Sequence, residues 1–237
     1  MVTAKDIKIA PITAEAARHM VRCHHYSGKV VNNSQLNLGV FLEDRLEGVM
    51  QFGPSMDKSK LQGLVEGTPW NGFLELNRMA FSERLPRNSE SRALGVAMRM
   101  IKKSYPHIQW IVSFSDAAQC GDGTIYRASG FVLTGISKNR SLFEFPNGER
   151  VAQMTMNANW NTPAMHDICK AMGIELKYRT AKEWMELGAK KLPGYQLRYL
   201  YFLDPTARQR FKGEIVPFSK IAEMDAGMYR GEKISRG

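Results

Sequence analysis

The sequence predicts an α/β protein with a mixed central β-sheet flanked by helices and a helical, basic extension at its C-terminus. Three observations carry this. First, residues 72–131 switch between the two apolar periods of regular structure. Phe73 to Phe81 alternates apolar and polar residues as a strand does, and Leu94, Ala97, Met98 and Ile101 then repeat at helical spacing. An apolar run from Ile108 to Phe114 reads as a second strand. Thr124 to Ser129 reads as a short helix that Gly130 ends. Second, two pairs of alternating runs flank tight turns. Leu36–Leu42 and Leu46–Phe52 surround Glu43-Asp44-Arg45, and Leu142–Phe145 and Arg150–Met156 surround Pro146-Asn147-Gly148. Third, two helical segments, Thr162–Met172 and Ala181–Leu187, precede a last strand, Gln196–Leu203.

The remaining elements fall into place around this core. Ile7–Ile12 is an edge strand, and Ala14–Tyr26 is a helix that Gly28 stops. Gly53–Asn71, with Pro54, Gly63, Gly67 and Pro69, reads as a long loop, which in a compact domain is functional or disordered. Asn88 or Ser89 is the expected N-cap of the helix that follows Arg87. Residues 1–160 are expected to form the core. Residues 161–237 add helices, the final strand and a basic tail, within one domain overall. No internal repeat or low-complexity tract is visible.

Composition narrows the function classes. The 237 residues carry a formal net charge of +10, which favours a polyanionic partner such as nucleic acid. Residues 188–237 hold ten Lys or Arg against five acids, and Arg208, Arg210 and Lys212 interleave with Phe211. That pattern suits a surface tracking phosphates, and equally an ordinary solvated tail. No apolar run is long enough to cross a bilayer, and the N-terminus lacks the apolar stretch of a signal peptide, so no membrane partner is expected. Three cysteines without paired spacing, Cys23, Cys120 and Cys169, point to a reducing compartment rather than a disulfide framework or zinc ribbon.

The strand–loop–helix–strand–loop–helix order resembles the centre of the GNAT acyltransferase superfamily, and Ile125-Tyr126-Arg127-Ala128-Ser129-Gly130-Phe131 resembles its closing signature. One departure stands out. The donor loop of acetyl-CoA-binding members is rich in glycine, and Arg87-Asn88-Ser89-Glu90-Ser91-Arg92 has none. At finer grain, RCHHYSGKVV (22–31), LNRMAF (76–81), NSESRALG (88–95) and SFSDAAQCGDGTIYRASGF (113–131) resemble the Mom family of phage DNA-modification proteins over nearly the whole chain.

Several residues could carry chemistry. His25 and Tyr26 lie at the end of the early helix, where a histidine can be a base or a ligand, or can simply sit well beside the helix C-terminus. The resemblance implies that this helix lines the acceptor site and that His25 and Tyr26 are its active-site pair. Asp116 follows a strand end, where ligand crevices open, and could orient His25 or accept a proton; its plain role is to cap the next turn. Tyr126 corresponds to the superfamily's general-acid tyrosine, or it packs as helical aromatics usually do. Arg78 lies within a strand, where Glu75 could pair with it or a donor phosphate could bind. Ser89 and Ser91 sit at a helix start between Arg87 and Arg92, a place that attracts phosphate. His25, Tyr26 and Asp116 also offer donors suited to iron more than zinc, in no regular ligand spacing.

The resemblance implies a phage enzyme of the host bacterial cytoplasm. It would convert DNA adenine to N6-carbamoylmethyl (acetamido) adenine and thereby shield phage DNA from restriction. Such a base must be extruded from the duplex, and Trp70, Tyr126 and Trp160 are candidate stacking surfaces. The product's extra nitrogen and methylene link do not match a plain acetyl transfer. A glycyl ester, as in glycyl-tRNA, supplies the right atoms and brings tRNA in as a partner. An acetyl-CoA-like donor with later amidation is the alternative. Rival readings are an acetyl-CoA-dependent N-acetyltransferase of a protein or small amine, and a DNA-binding protein without activity. The sequence sets no oligomeric state, and a dimer stays open.

Overall fold

The computed structural model describes residues 2–116, 121–158, 160–229 and 232–233. Cys120 and the last residues of the basic tail lie outside them. The chain divides into two compact units, 1–136 with 197–237, and 137–196.

The larger unit begins with a 3-10 turn (Ala4–Asp6), then β1 (Lys8–Pro11) and α1 (Ala14–His24). The Thr13 hydroxyl caps α1 by accepting from the Ala16 amide. The helix stops earlier than expected, because His25 takes extended backbone angles while its amide still donates to the Val21 carbonyl. β2 (Leu36–Leu42) and β3 (Arg45–Gly53) form the expected hairpin. Its two-residue turn, Glu43-Asp44, has positive φ at both positions, the handedness that matches strand twist.

The stretch expected to be a structureless loop is not one. It contains α2 (Lys58–Gln62), whose Leu61 is buried with Val65, Phe73, Trp110 and Val112. Trp110 locks the segment from below: it stacks on Phe73 with 4.2 Å between ring centroids, and its Nε1 donates to Thr68 Oγ1 at 3.0 Å.

β4 (Phe73–Phe81), α3 (Ser89–Ser104) and β5 (Trp110–Asp116) follow, then α4 (Thr124–Ala128) and β6 (Val132–Lys138). Gly123 opens α4 at φ +76°, and a Cβ there would sit 2.4 Å from the Tyr199 ring, so only glycine fits. The Ser137–Gln196 unit contains β7 (Leu142–Glu144), β8 (Arg150–Ala152), α5 (Gln153–Ala158), α6 (Pro163–Met172), α7 (Ala181–Glu186) and β9 (Lys190–Lys191). Its sheet has the order β8-β7-β9. The expected strand Arg150–Met156 is corrected here: after three residues the chain turns helical, and Met156 joins Phe143, Val151, Ile168 and Trp184 in the unit's own core. β10 (Tyr195–Phe202) returns to the main sheet. The C-terminal stretch is more ordered than a tail: it holds α8 (Pro205–Gln209), α9 (Ser219–Glu223) and the short pair β11 (Met228–Tyr229) and β12 (Glu232–Lys233).

The main sheet has the order β1-β2-β3-β4-β5-β10-β6. It is antiparallel from β1 to β4 and parallel between β4 and β5. Two irregularities coincide on β4. Against β3, Arg78 pairs with Gln51 but Leu76 pairs with Phe52, so Asn77 is an extra, bulged residue. Against β5, the register covers only Phe73–Glu75 with Trp110–Val112. Beyond that the two strands part, and a fork opens at the bulge. This is the splayed mixed sheet that the sequence implied.

Candidate active site at the fork

Strand alternation decides which side chains face the fork together. Glu75 shares a face with Phe73, and the bulge at Asn77 puts Arg78 and Ala80 on that same face. On β5, Trp110, Val112 and Asp116 share it. The end of α1 covers the same side, because Ala17, Met20 and Val21 pack against Val49 and Ala80. His25, Glu75, Arg78 and Asp116 therefore belong to one face, at or beside the split between β4 and β5.

His25 is half-buried, and the loop after α1 organises its ring. Ser27 donates its backbone N–H to Nδ1 at 3.2 Å and places its hydroxyl 2.9 Å from the same atom. Tyr26, more than half exposed, lies against the ring at 4.3 Å between centroids. Burial first, and the Arg78 cation second, push the His25 pKa down to about 4. Arg78 donates from Nε to the Lys29 carbonyl at 2.9 Å and from Nη1 to the Asn77 carbonyl at 2.7 Å. It thus ties the loop that carries His25 to the bulge.

The sequence reading missed Glu75 as a functional candidate, because an alternating polar residue in a strand reads as solvent-facing. Burial raises its pKa, partly offset by the Ser55 and Asn77 side chains and by Arg78. A carboxylate so placed is a better proton acceptor than an exposed one. Gln51, the cross-strand partner of Arg78, is fully buried. Its Nε2 donates to Ser34 Oγ and Asn37 Oδ1, while its Oε1, like Asn77 Oδ1, has no hydrogen-bond partner among the described residues. Both oxygens are enclosed by protein atoms beside the fork.

The loop before α3 takes the left-handed turn that glycine usually supplies. Asn88 does so at φ +70°, in the N-cap position, without a side-chain capping bond. The Ser89 side chain is buried and donates to the Pro86 carbonyl at 2.6 Å, and Ser91 Oγ donates to the Asn88 carbonyl at 3.2 Å. Both hydroxyls are committed within the loop, whereas Arg87 and Arg92 are exposed at the start of a 16-residue helix.

Tyr126 packs between Phe131 and Tyr199, with ring centroids at 5.4 and 5.3 Å. Nearby, buried Asp122 accepts from Thr124 Oγ1 at 2.8 Å and pairs with Arg127 at 3.1 Å, which fixes the start of α4. In the C-terminal stretch, Arg210 donates to the Glu66 carbonyl and to Gln109 Oε1, and Lys212 pairs with Glu66 at 3.0 Å. Phe211 bridges Val65 and packs on Phe202 rather than standing free as a stacking ring. Arg208 is exposed. Cys23 and Cys169 are free thiols.

Among the described residues, no group of three or more His, Cys, Asp or Glu side chains is placed to hold a metal ion. Nor is any helix among them long and apolar enough to cross a membrane.

A profile of the Mom protein family matches residues 6–220. The methylcarbamoylase Mom of Escherichia phage Mu is 35% identical over 213 residues, covering 90% of this chain and 82% of that protein. The chain belongs to the Mom protein family and is an enzyme of the modifying, transferase type. Among solved structures, a Bacillus subtilis acetyltransferase in complex with CoA aligns with a TM-score of 0.43 at 10% identity, covering 83% of this chain and 97% of that one. The ribosomal-protein-S18-alanine N-acetyltransferase of Escherichia coli aligns at 0.44 and 10%, covering 84% and 94%. Likeness of that degree carries no weight for chemistry.

Proposed function

We propose that this enzyme modifies DNA, converting adenine to N6-carbamoylmethyladenine and so shielding phage DNA from host restriction enzymes in the bacterial cytoplasm. The observation that carries the reading is 35% identity to the phage Mu methylcarbamoylase across 90% of the chain. The net charge of +10 supports a nucleic-acid partner.

Each residue then has a task. His25, Tyr26, Asp116 and Tyr126 act on the reacting groups, with Asp116 or Glu75 as proton acceptor. Arg78 braces the His25 loop beside the donor. Arg87 and Arg92 hold donor phosphate, and Ser89 and Ser91 contribute by shaping the helix start. Arg208 contacts DNA phosphate, with Arg210 and Lys212 beside it.

A glycyl ester such as glycyl-tRNA satisfies the atom count of the product. Attack of adenine N6 on the glycyl carbonyl gives N6-glycyladenine, which is an isomer of the product. The free glycyl amine then attacks C6 through a five-membered spiro intermediate and displaces the old N6, which becomes the terminal amide. An acetyl-CoA-like donor is the second reading, and the left-handed Asn88 favours it, because the loop keeps a glycine-like shape without glycine. The test is isotopic. With ¹⁵N-glycine and DNA unlabelled at N6, glycine nitrogen should end on C6 and the old N6 in the amide. Modified adenine containing no glycine atoms would eliminate the glycyl donor, and unmodified DNA would eliminate the whole reading.

A further inference from the structure

We infer that His25 acts as a neutral hydrogen-bond donor through its Nε2–H, rather than as a general base, because the loop after α1 reserves the lone pair of its Nδ1. The group it touches rests on the function proposed above; the state of the ring does not.

The inference follows from which atoms can only donate. The Ser27 backbone nitrogen, 3.2 Å from Nδ1, carries a hydrogen and no available lone pair. Nδ1 must therefore present its lone pair to it. The Ser27 hydroxyl is compatible with this: its oxygen accepts from the Lys29 amide at 3.2 Å, and its hydrogen is free to turn towards Nδ1, 2.9 Å away. A neutral imidazole whose lone pair is on Nδ1 carries its proton on Nε2. That nitrogen lies across the ring from the loop and has no hydrogen-bond partner among the described residues.

A base would need the opposite arrangement. Its lone pair would have to sit on Nε2, breaking the Ser27 amide bond, and the ring would end as a cation beside Arg78. The buried setting and the guanidinium on β4 both oppose that charge. The same setting strengthens a hydrogen bond donated from Nε2–H to an oxygen on which negative charge grows.

In the transfer step, adenine N6 bonds to the donor carbonyl carbon and the C=O π pair moves onto oxygen, where Nε2–H donates. His25 keeps its proton throughout. The N6 proton passes to a carboxylate, Glu75 or Asp116. As the carbonyl re-forms, the leaving oxygen or sulfur departs with the bonding pair and takes that proton.

Long-range ¹H–¹⁵N correlation on histidine-labelled full chain reads the tautomer directly, with His25 assigned by its loss in the His25→Gln variant. A pyridine-like Nδ1 and a pyrrole-like Nε2 at pH 7 are expected. An Nδ1–H tautomer, or an imidazolium, would overturn the inference. Activity gives an independent readout. Glutamine offers an N–H near the Nε2 position but is no base. His25→Gln should stay within about tenfold of the wild-type rate, and His25→Phe should lose about 100-fold or more, the scale for one donor to a developing oxyanion. Equal loss in both variants, at unchanged stability, would contradict a donor role. If wild-type chain leaves adenine unmodified while the tautomer is as described, the functional proposal fails and the state of His25 stands.

Discussion

The fork and the Ser137–Gln196 unit bury their side chains for different reasons. The unit of 60 residues has an ordinary apolar core: Phe143, Val151, Met156, Met165, Ile168 and Trp184 are fully buried around a three-stranded sheet. At the fork, by contrast, the chain buries Gln51 with an unpartnered oxygen, holds Glu75 where burial raises its pKa, and bulges β4 at Asn77. Such features cost stability and persist where a ligand or reaction compensates for them. On the function proposed above, the first region serves folding and the second chemistry, so substitutions in the two should separate cleanly.

The largest stability effect belongs to the first region. Phe143→Ala should cost about 3–5 kcal/mol in chemical denaturation, since the ring is fully buried as one of nine buried core residues of its unit. A cost below about 1 kcal/mol would mean that this core is not a folding unit. Gly123→Ala comes next. It meets the Tyr199 ring at 2.4 Å and carries the penalty of positive φ, so it should cost more than about 1 kcal/mol. Wild-type stability here would require Tyr199 to swing away at no cost.

His25 links stability to pH at the fork. Its folded pKa of about 4 lies below the ordinary 6.5, so the unfolded chain takes up this proton first. The contribution is complete above pH 6.5 and is lost as pH falls towards 4, on the order of 1–3 kcal/mol. His25→Gln should flatten that acid loss; an unchanged slope would place the titration elsewhere. The smallest effect concerns DNA. Arg208→Ala should reduce the dependence of log affinity on log salt by about one unit, because Arg208 is exposed whereas Arg210 and Lys212 already engage Gln109 and Glu66. An unaltered slope would move the DNA surface away from α8.

Much of the fold was legible because alternation is local. β2 and β4 coincide with the runs Leu36–Leu42 and Phe73–Phe81. What escaped was short or depended on distant partners. α2 has one buried residue, Leu61, and so shows no periodicity. Alternating Ala152, Met154 and Met156 mimic a strand where a helix begins. At the fork, His25 could be read from its place at a helix end, but Glu75 owes its burial to a fold that brings Ser55 beside it from twenty residues upstream. Ser27 was within reach: a hydroxyl two residues after a histidine is a local signal that the ring is being oriented.

The central claim, that the fork modifies adenine, is tested most directly by mass spectrometry of nucleosides from DNA treated with wild-type chain and with Asp116→Ala. Carbamoylmethyladenine should appear with the wild type and vanish with the variant, which should bind DNA and unfold much as the wild type does. Modification at wild-type levels by Asp116→Ala would contradict the placement of the chemistry at the fork.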